Sequence, residues 1–257
     1  TCGLPKITGV SLEGAEFVYD GANKALAVKG ATGDMTVTYS PANVKNVGTH
    51  KITATVKKAG FATLTLTADL KITPKALTIT GVKVTDKTFD NTTTATVDYS
   101  GAALAGVVAG DDVSFTQPTA TFADANVGTN KTMVMDAIAL TGAAASNYTL
   151  TQPTLKGVII QRTVTIVPDA GQGKKVGAAD PVITYKVDGD LCGYTLTGAL
   201  GRVAGEDAGE LNKTYAITLG TLKTNPDNGN IKLVVADEVF TIFNKDPQTA
   251  TVTVPAT

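Results

Sequence analysis

The chain has no tryptophan, a single histidine and only two cysteines in 257 residues. Each scarcity excludes something. Seven Phe and seven Tyr are the whole aromatic supply, so the cores must be built from Val, Ile, Leu and Ala. A sugar site usually presents a stacking face, and the sequence shows no aromatic cluster for one. Any Ser-His-Asp or Cys-His machinery would have to use His50, which sits mid-strand beside Ile52, Ala54 and Val56 with no evident nucleophile or orienting partner. Metal ligation through His50 needs further ligands, and no Cys or His lies nearby at ligand spacing; Cys2 and Cys192 do not make a disulfide framework. They lie in different parts of the repeat described below, and the expectation is that they are not bonded to each other. The formal net charge is −1 with no basic block, which argues against a nucleic-acid partner and against electrostatic membrane binding. No apolar run approaches membrane-spanning length, and no signal peptide is evident, so no membrane insertion is expected within this chain.

What is abundant is threonine, 43 of 257 residues. Thr is β-branched and suits a half-exposed strand. It fills the gaps in Leu64 to Thr80, LTLTADLKITPKALTIT, where Leu64, Leu66, Ala68, Leu70 and Ile72 are apolar at every second position. Period two marks a strand with one wet face. Pro74 interrupts, and apolar spacing resumes on the other parity at Leu77 and Ile79. Pro cannot donate to a ladder, so Pro74 marks the handover from one module's last strand to the next module's first. The same punctuation returns around Arg162 and between Asn244 and Pro247, with Ile72, Ile160 and Ile242 as markers.

The chain therefore reads as all-β: three tandem Ig-like β-sandwich modules in an elongated array, with β-grasp-like modules carrying one short helix as the alternative. The modules span 1–74, 75–161 and 162–245, and 246–257 reads as an outgoing strand or the start of a further module. No linker runs rich in Gly and Ser separate them, so a stiff rod is expected. Tyr19-Asp20-Gly21 reads as a strand meeting a tight turn. Asn46-Val47-Gly48-Thr49 and Asn126-Val127-Gly128-Thr129 each lead into a β run, and Gly48 and Gly128 are expected to do the same job. Ala208-Gly209 takes that place in the third module. Residues 143–147 can hold one helical turn, Tyr148 begins the second module's closing strand, and IKLVVADEVFTI closes the third.

Three further clusters carry possible chemistry. Asp111, Asp112 and Asp124 offer oxygen ligands for calcium, but no EF-hand spacing is present and Asp-rich turns arise from local hydrogen bonding alone. Arg202 with Glu206 and Asp207 is the densest charge cluster of the third module; it reads as an ion-pair group fixing a long loop, with a binding spot as the alternative that the lack of a nearby aromatic platform disfavours. The Gly-rich runs 171–177 and 193–209 lack the ending of a phosphate loop and open no helix. No catalytic, metal or cofactor-binding residue is assigned, and no ligand-binding residue can be named.

The second module resembles the YDG domain of filamentous-haemagglutinin-type bacterial surface adhesins. Phe89-Asp90-Asn91-Thr92-Thr93 stands where the family has Tyr-Asp-Gly-Thr-Thr, and Gly110-Asp111-Asp112-Val113, Phe122-Ala123-Asp124 and Ala145-Ser146-Asn147-Tyr148 match as well. The third resembles the MBG domain, through Ala179-Asp180-Pro181, Gly198-Ala199-Leu200-Gly201-Arg202 and Ala204-Gly205-Glu206-Asp207-Ala208-Gly209, with Val176-Gly177 in place of Tyr-Gly. The first, through Tyr19-Asp20-Gly21 and Val47-Gly48-Thr49, is similar to related Ig-like surface repeats. The resemblance implies a non-catalytic, monomeric segment of an extracellular adhesin or stalk on a bacterial cell surface, with a host protein or glycan as partner and no cofactor. A glycan- or mucin-binding module, or the accessory domains of a larger secreted enzyme, are the alternative readings.

Overall fold

Strand-by-strand alternation decides the structure, seen here in a computed structural model that describes residues 3–210 and 212–244. Cys2 and the expected outgoing strand at 246–257 lie outside the described residues. On Leu64–Thr73 the buried side chains include Leu70 and Ile72. After Pro74 the strand Lys75–Thr80 buries Leu77 and Ile79. The parity switch at Pro74 follows the apolar pattern. Gln161 separates Lys156–Ile160 from Arg162–Pro168 in the same way. There the marker is off by one: Ile159 is buried and Ile160 is 49% exposed. Val158, Ile159 and Ile160 are apolar in a row, so alternation alone could not choose the face.

The described residues form two compact units. The first contains the chain up to Val84 together with Thr96–Ala120 and Met135–Leu155. Its largest sheet has the order Ala15–Val18, Leu64–Thr73, Gly48–Lys58, Met35–Ser40. Ala15–Val18 runs parallel to Leu64–Thr73, with Phe17 opposite Ile72. The other pairs are antiparallel, with Ala54 opposite Leu66 and Val37 opposite Val56. A second sheet places Lys75–Thr80 between Ala103–Ala105 and Tyr148–Thr151, the last parallel with Leu77 opposite Leu150. The core gathers Tyr19, Leu26, Ile52, Leu70, Ile72, Leu77 and Tyr148.

The second unit contains Thr85–Ala95, Thr121–Val134 and the chain from Lys156 onward. Lys156–Ile160 runs parallel to Lys87–Thr88. Arg162–Pro168 lies between antiparallel Tyr185–Asp188 and parallel Ile231–Val235. Facing it, a four-stranded sheet has the order Gly173–Lys175, Val239–Phe243, Asn212–Thr218, Gly201–Arg202. Ile166, Ile183, Leu200, Ile217, Leu222, Phe240 and Ile242 fill the space between. IKLVVADEVFTI is therefore two strands in different sheets, not one closing strand, because the chain crosses over at Ala236 to Glu238. Tyr148–Thr151 and Lys156–Ile160 are likewise separate, broken by the segment holding Pro153, which cannot donate to a ladder.

One pattern recurs three times. A short strand before the Tyr-Asp-Gly position pairs in parallel with the closing strand: Ala15–Val18 with Leu64–Thr73, Lys87–Thr88 with Lys156–Ile160, and Gly173–Lys175 with Val239–Phe243. Two β-sheets packed over a hydrophobic core make these Ig-like β-sandwiches. The one helical element among the described residues is the 3-10 turn Ala145–Asn147, inside the stretch expected to hold a helical turn. Among the described residues no α-helix covers a sheet, and the two-sheet packing favours the sandwich over the β-grasp alternative.

Candidate functional site: the turns where one module meets the next

The end of each closing strand is marked by one hydrogen bond. Tyr19 N–H donates to the Thr73 carbonyl at 2.9 Å, Phe89 N–H to Ile160 at 2.9 Å, and Val176 N–H to Phe243 at 3.0 Å. Tyr19, Phe89 and Val176 thus hold one structural position. Two residues after Tyr19 and Phe89, and one after Val176, the backbone turns left-handed, with φ of 79° at Gly21, 60° at Asn91 and 81° at Gly177. Gly and Asn tolerate that region, which is why Asn91 can replace the glycine. Asp20 and Asp90 close the turn by accepting from the N–H two residues on, Ala22 and Thr92, each at 2.9 Å.

In the first unit this turn is covered by residues of the stretch that the sequence pattern assigns to the second module. Asn147, 5% exposed, accepts from Val47 N–H at 2.9 Å through Oδ1, and its Nδ2 donates to Asn46 Oδ1 at 3.4 Å. Tyr148 stacks edge-on against Tyr19, the ring centroids 5.3 Å apart at 78°. Both phenols donate to the same carboxylate oxygen, Asp111 Oδ2, at 2.8 Å from Tyr19 and 2.5 Å from Tyr148. Val108 N–H donates to the Tyr148 hydroxyl at 3.0 Å. Burial first, then the Asp111 carboxylate, pushes the Tyr19 phenol up to about 12 and raises that of Tyr148. The two phenol bonds in turn hold Asp111 below the usual carboxylate range.

The second unit repeats the arrangement with residues of the third module. Asn230, 2% exposed, accepts from Val127 N–H at 2.9 Å, and its Nδ2 donates to Asn126 Oδ1 at 2.9 Å and to the Tyr194 hydroxyl at 3.0 Å. Tyr194 stacks edge-on against Phe89, 5.6 Å apart at 75°. Here the ring comes from the loop after Tyr185–Asp188 and not from the residue following the Asn. Arg162 Nε donates to the Phe89 carbonyl at 2.6 Å. Each clasp thus pairs an Asn-Val turn with an Asn carboxamide, and an aromatic ring with a tyrosine. Nothing in the local sequence marks Asn147 or Asn230 as functional. The available signal is position: each precedes its closing residue, Ile160 or Phe243, by the same interval. Gly60 holds that position in the first module.

The residues weighed earlier for chemistry fall elsewhere. His50 Nε2 donates to the Asn46 carbonyl at 2.8 Å, tying the turn from within. Asp111 serves the two phenols. Asp112 Oδ2 accepts from Ala143 N–H at 3.2 Å. Asp124 accepts from Asn126 N–H at 2.8 Å and pairs with Lys131 at 2.7 Å. Among the described residues no group of three His, Cys, Asp or Glu side chains could hold a metal ion. Cys192 is a half-buried free thiol whose Sγ lies 3.7 Å from the Phe89 carbonyl oxygen, and burial pushes it up. Gly48 and Gly128 both open strands, but only Gly48, at φ 147°, has a positive φ. The backbone demand is therefore not shared.

The charge cluster is real but differently composed. Arg202, its side chain 6% exposed, forks onto Asp180 at 2.8 and 2.9 Å and reaches Glu206 at 2.6 Å. Lys174 bridges the same two carboxylates at 2.6 Å each. The guanidinium lies over Tyr215 and Phe240, 5.4 and 5.2 Å from the centroids. Hydrogen bonds from Arg202 and then Lys174 hold Asp180 down at about 2. Asp207 is not a member; it pairs with Lys213 at 3.1 Å. Arg202 also donates to the Gly205 carbonyl at 2.6 Å, so the cluster fixes the loop, as the sequence suggests.

No helix among the described residues is long and apolar enough to cross a membrane. No curated protein matches the chain in sequence. Among solved structures, similar chains include Drosophila N-cadherin EC1-3, at 9% identity over 91% of this chain and 97% of that one, TM-score 0.30. Titin I67-I69 is similar at 9% identity, over 95% and 100%, TM-score 0.26. Mouse cadherin-23 EC22-24 is similar at 10% identity, over 91% and 100%, TM-score 0.28. The family models are specific: one for the YDG domain matches residues 73–155, and one for the MBG domain of the YGX type matches residues 164–241. The chain carries a YDG domain followed by an MBG domain.

Proposed function

We propose that this chain is a non-catalytic segment of an extracellular adhesin or stalk on a bacterial cell surface, built to project or present a contact with a host protein or glycan. The observation that carries this reading is the repeated clasp. Twice, a buried Asn carboxamide of one module satisfies the backbone and side chain of the previous module's turn, with an aromatic pair beside it. Such joints resist bending and pulling, because separating them strands buried donors and acceptors. Tyr19, Phe89, Tyr148 and Tyr194 are engaged in these joints, so those four rings are not available as a stacking face for a sugar.

Single-molecule stretching of the full chain tests the proposal. The expected trace holds force until modules unfold in discrete steps, and joint variants lower the force of the first steps. Free extension at negligible force before any step means loose tethers and removes the stalk reading. A glycan array beside a host-matrix pull-down then separates an adhesive segment, which captures a partner, from a plain spacer.

A further inference from the structure

We infer that the module ends are not interchangeable, and that the end of each module reads which module follows it. The two clasps share the Asn carboxamide but differ at the aromatic. The first module presents Tyr19, 2% exposed, whose buried hydroxyl needs an acceptor, and the second module supplies one in Asp111 Oδ2. That carboxylate also takes the Tyr148 hydroxyl, so one oxygen registers both rings. The second module presents Phe89, 0% exposed, which has no hydroxyl to place. Its partner ring, Tyr194, has its hydroxyl engaged with Asn228 and Asn230.

Equivalent loops supply these different groups. Ala105 pairs with Thr78 and Asp188 pairs with Thr165, so Ala103–Ala105 and Tyr185–Asp188 are counterpart strands beside the first strands of their modules. Six positions after the first strand lies Asp111, a carboxylate; six positions after the second lies Tyr194, a phenol. A tyrosine-bearing end therefore fits a following module that brings a carboxylate. A phenylalanine-bearing end fits one that brings a phenol held by Asn. In the wrong order, the Tyr19 hydroxyl would be buried against a phenol and a carboxamide already paired with each other, and Asp111 would keep the Tyr148 hydroxyl but lose its second donor. The first mismatch leaves a buried hydroxyl unsatisfied, which costs more than the matched bond contributes; the second leaves the carboxylate one donor short. Specificity by such unpaired groups is how an interface rejects a near-identical partner.

Urea unfolding of the full chain tests this, using opposite edits at the two equivalent positions. Tyr19→Phe removes a hydroxyl where a carboxylate awaits it, and Phe89→Tyr adds one where none does. Both are expected to raise the unfolding equilibrium constant by about tenfold, the scale of one buried hydrogen bond to a charged group. Asp111→Asn is expected to destabilise the wild-type chain by a similar factor, and to have little effect once Tyr19→Phe and Tyr148→Phe are in place. A neutral or stabilising Phe89→Tyr would show that the second end accepts a hydroxyl and overturn the inference. An Asp111→Asn effect undiminished in the double Phe background would show that the carboxylate does not read the phenols, with the same consequence.

Discussion

Replacing Asn230 by alanine removes one side chain of the third module and strikes the second. Asn230 Oδ1 is the acceptor for Val127 N–H, and its Nδ2 serves Asn126 and Tyr194. Truncation leaves the Val127 N–H without its partner, at about 1–3 kcal/mol, and removes two further bonds worth about 1 kcal/mol each. The space left is polar, so a water entering it recovers part of the loss. The expected net cost is about 2 kcal/mol. With an m-value of about 2 kcal/mol/M, the urea midpoint falls by about 1 M. The assay pairs urea unfolding with amide exchange at Val127, which should speed up because its acceptor is gone. Asn228→Ala is the control. It touches the same Tyr194 hydroxyl from an exposed position and should stay within about 0.5 kcal/mol. If Asn230→Ala unfolds within about 0.5 kcal/mol of wild type and the Val127 amide exchanges as before, the carboxamide is not holding the two modules together.

Gly48→Val is expected to cost more than about 1 kcal/mol, since φ is 147° and a Cβ would sit 3.4 Å from His50 Nε2, whereas Gly128→Val should cost far less. Equal shifts in thermal midpoint would refute the distinction. Tyr19 titrates higher in the fold, about 12, than the ordinary 10. Its stabilising share is therefore complete below pH 10 and lost as pH rises towards 12. Tyr19→Phe should flatten that alkaline loss in a pH series of unfolding curves. Asp180 runs the other way, held at about 2 against an ordinary 3.8. Its share is present above pH 4 and lost as pH falls towards 2. The carboxylate is 44% exposed, so screening limits the share to about 1 kcal/mol, and Asp180→Asn should remove that slope.

Much of the fold is legible in one dimension because it is encoded locally. Alternation fixes which face of Leu64–Thr73 is buried, Pro74 fixes where it stops, and Tyr19-Asp20-Gly21 and Asn91 fix turns through their own backbone preferences. Where local signals are silent, reading fails for identifiable reasons. Val158 to Ile160 has no alternation to read, so the buried Ile159 is missed. Charge density near Arg202 points to Asp207, but the fork closes on Asp180, twenty-two positions away, brought in by sheet order. Asn147 and Asn230 look like ordinary loop residues. Their importance lies wholly in what the preceding module places opposite them, and a single chain without long-range pairing does not display that.

The clasps also bear on where such a gene can be cut. The repeat in the sequence suggests boundaries at Pro74 and Gln161, and those are natural places to end an expressed fragment or for recombination to exchange repeats. The covering side chains lie beyond those points: Asp111, Asn147 and Tyr148 for the first end, Tyr194 and Asn230 for the second. A fragment ending at Pro74 bares the Tyr19 ring, and one ending at Gln161 bares Phe89, each beside an N–H that has lost its acceptor. Fragments that include the following repeat keep their last intact joint dry. Shuffling that keeps neighbouring repeats together as pairs preserves a joint, whereas shuffling single repeats breaks one at every crossover.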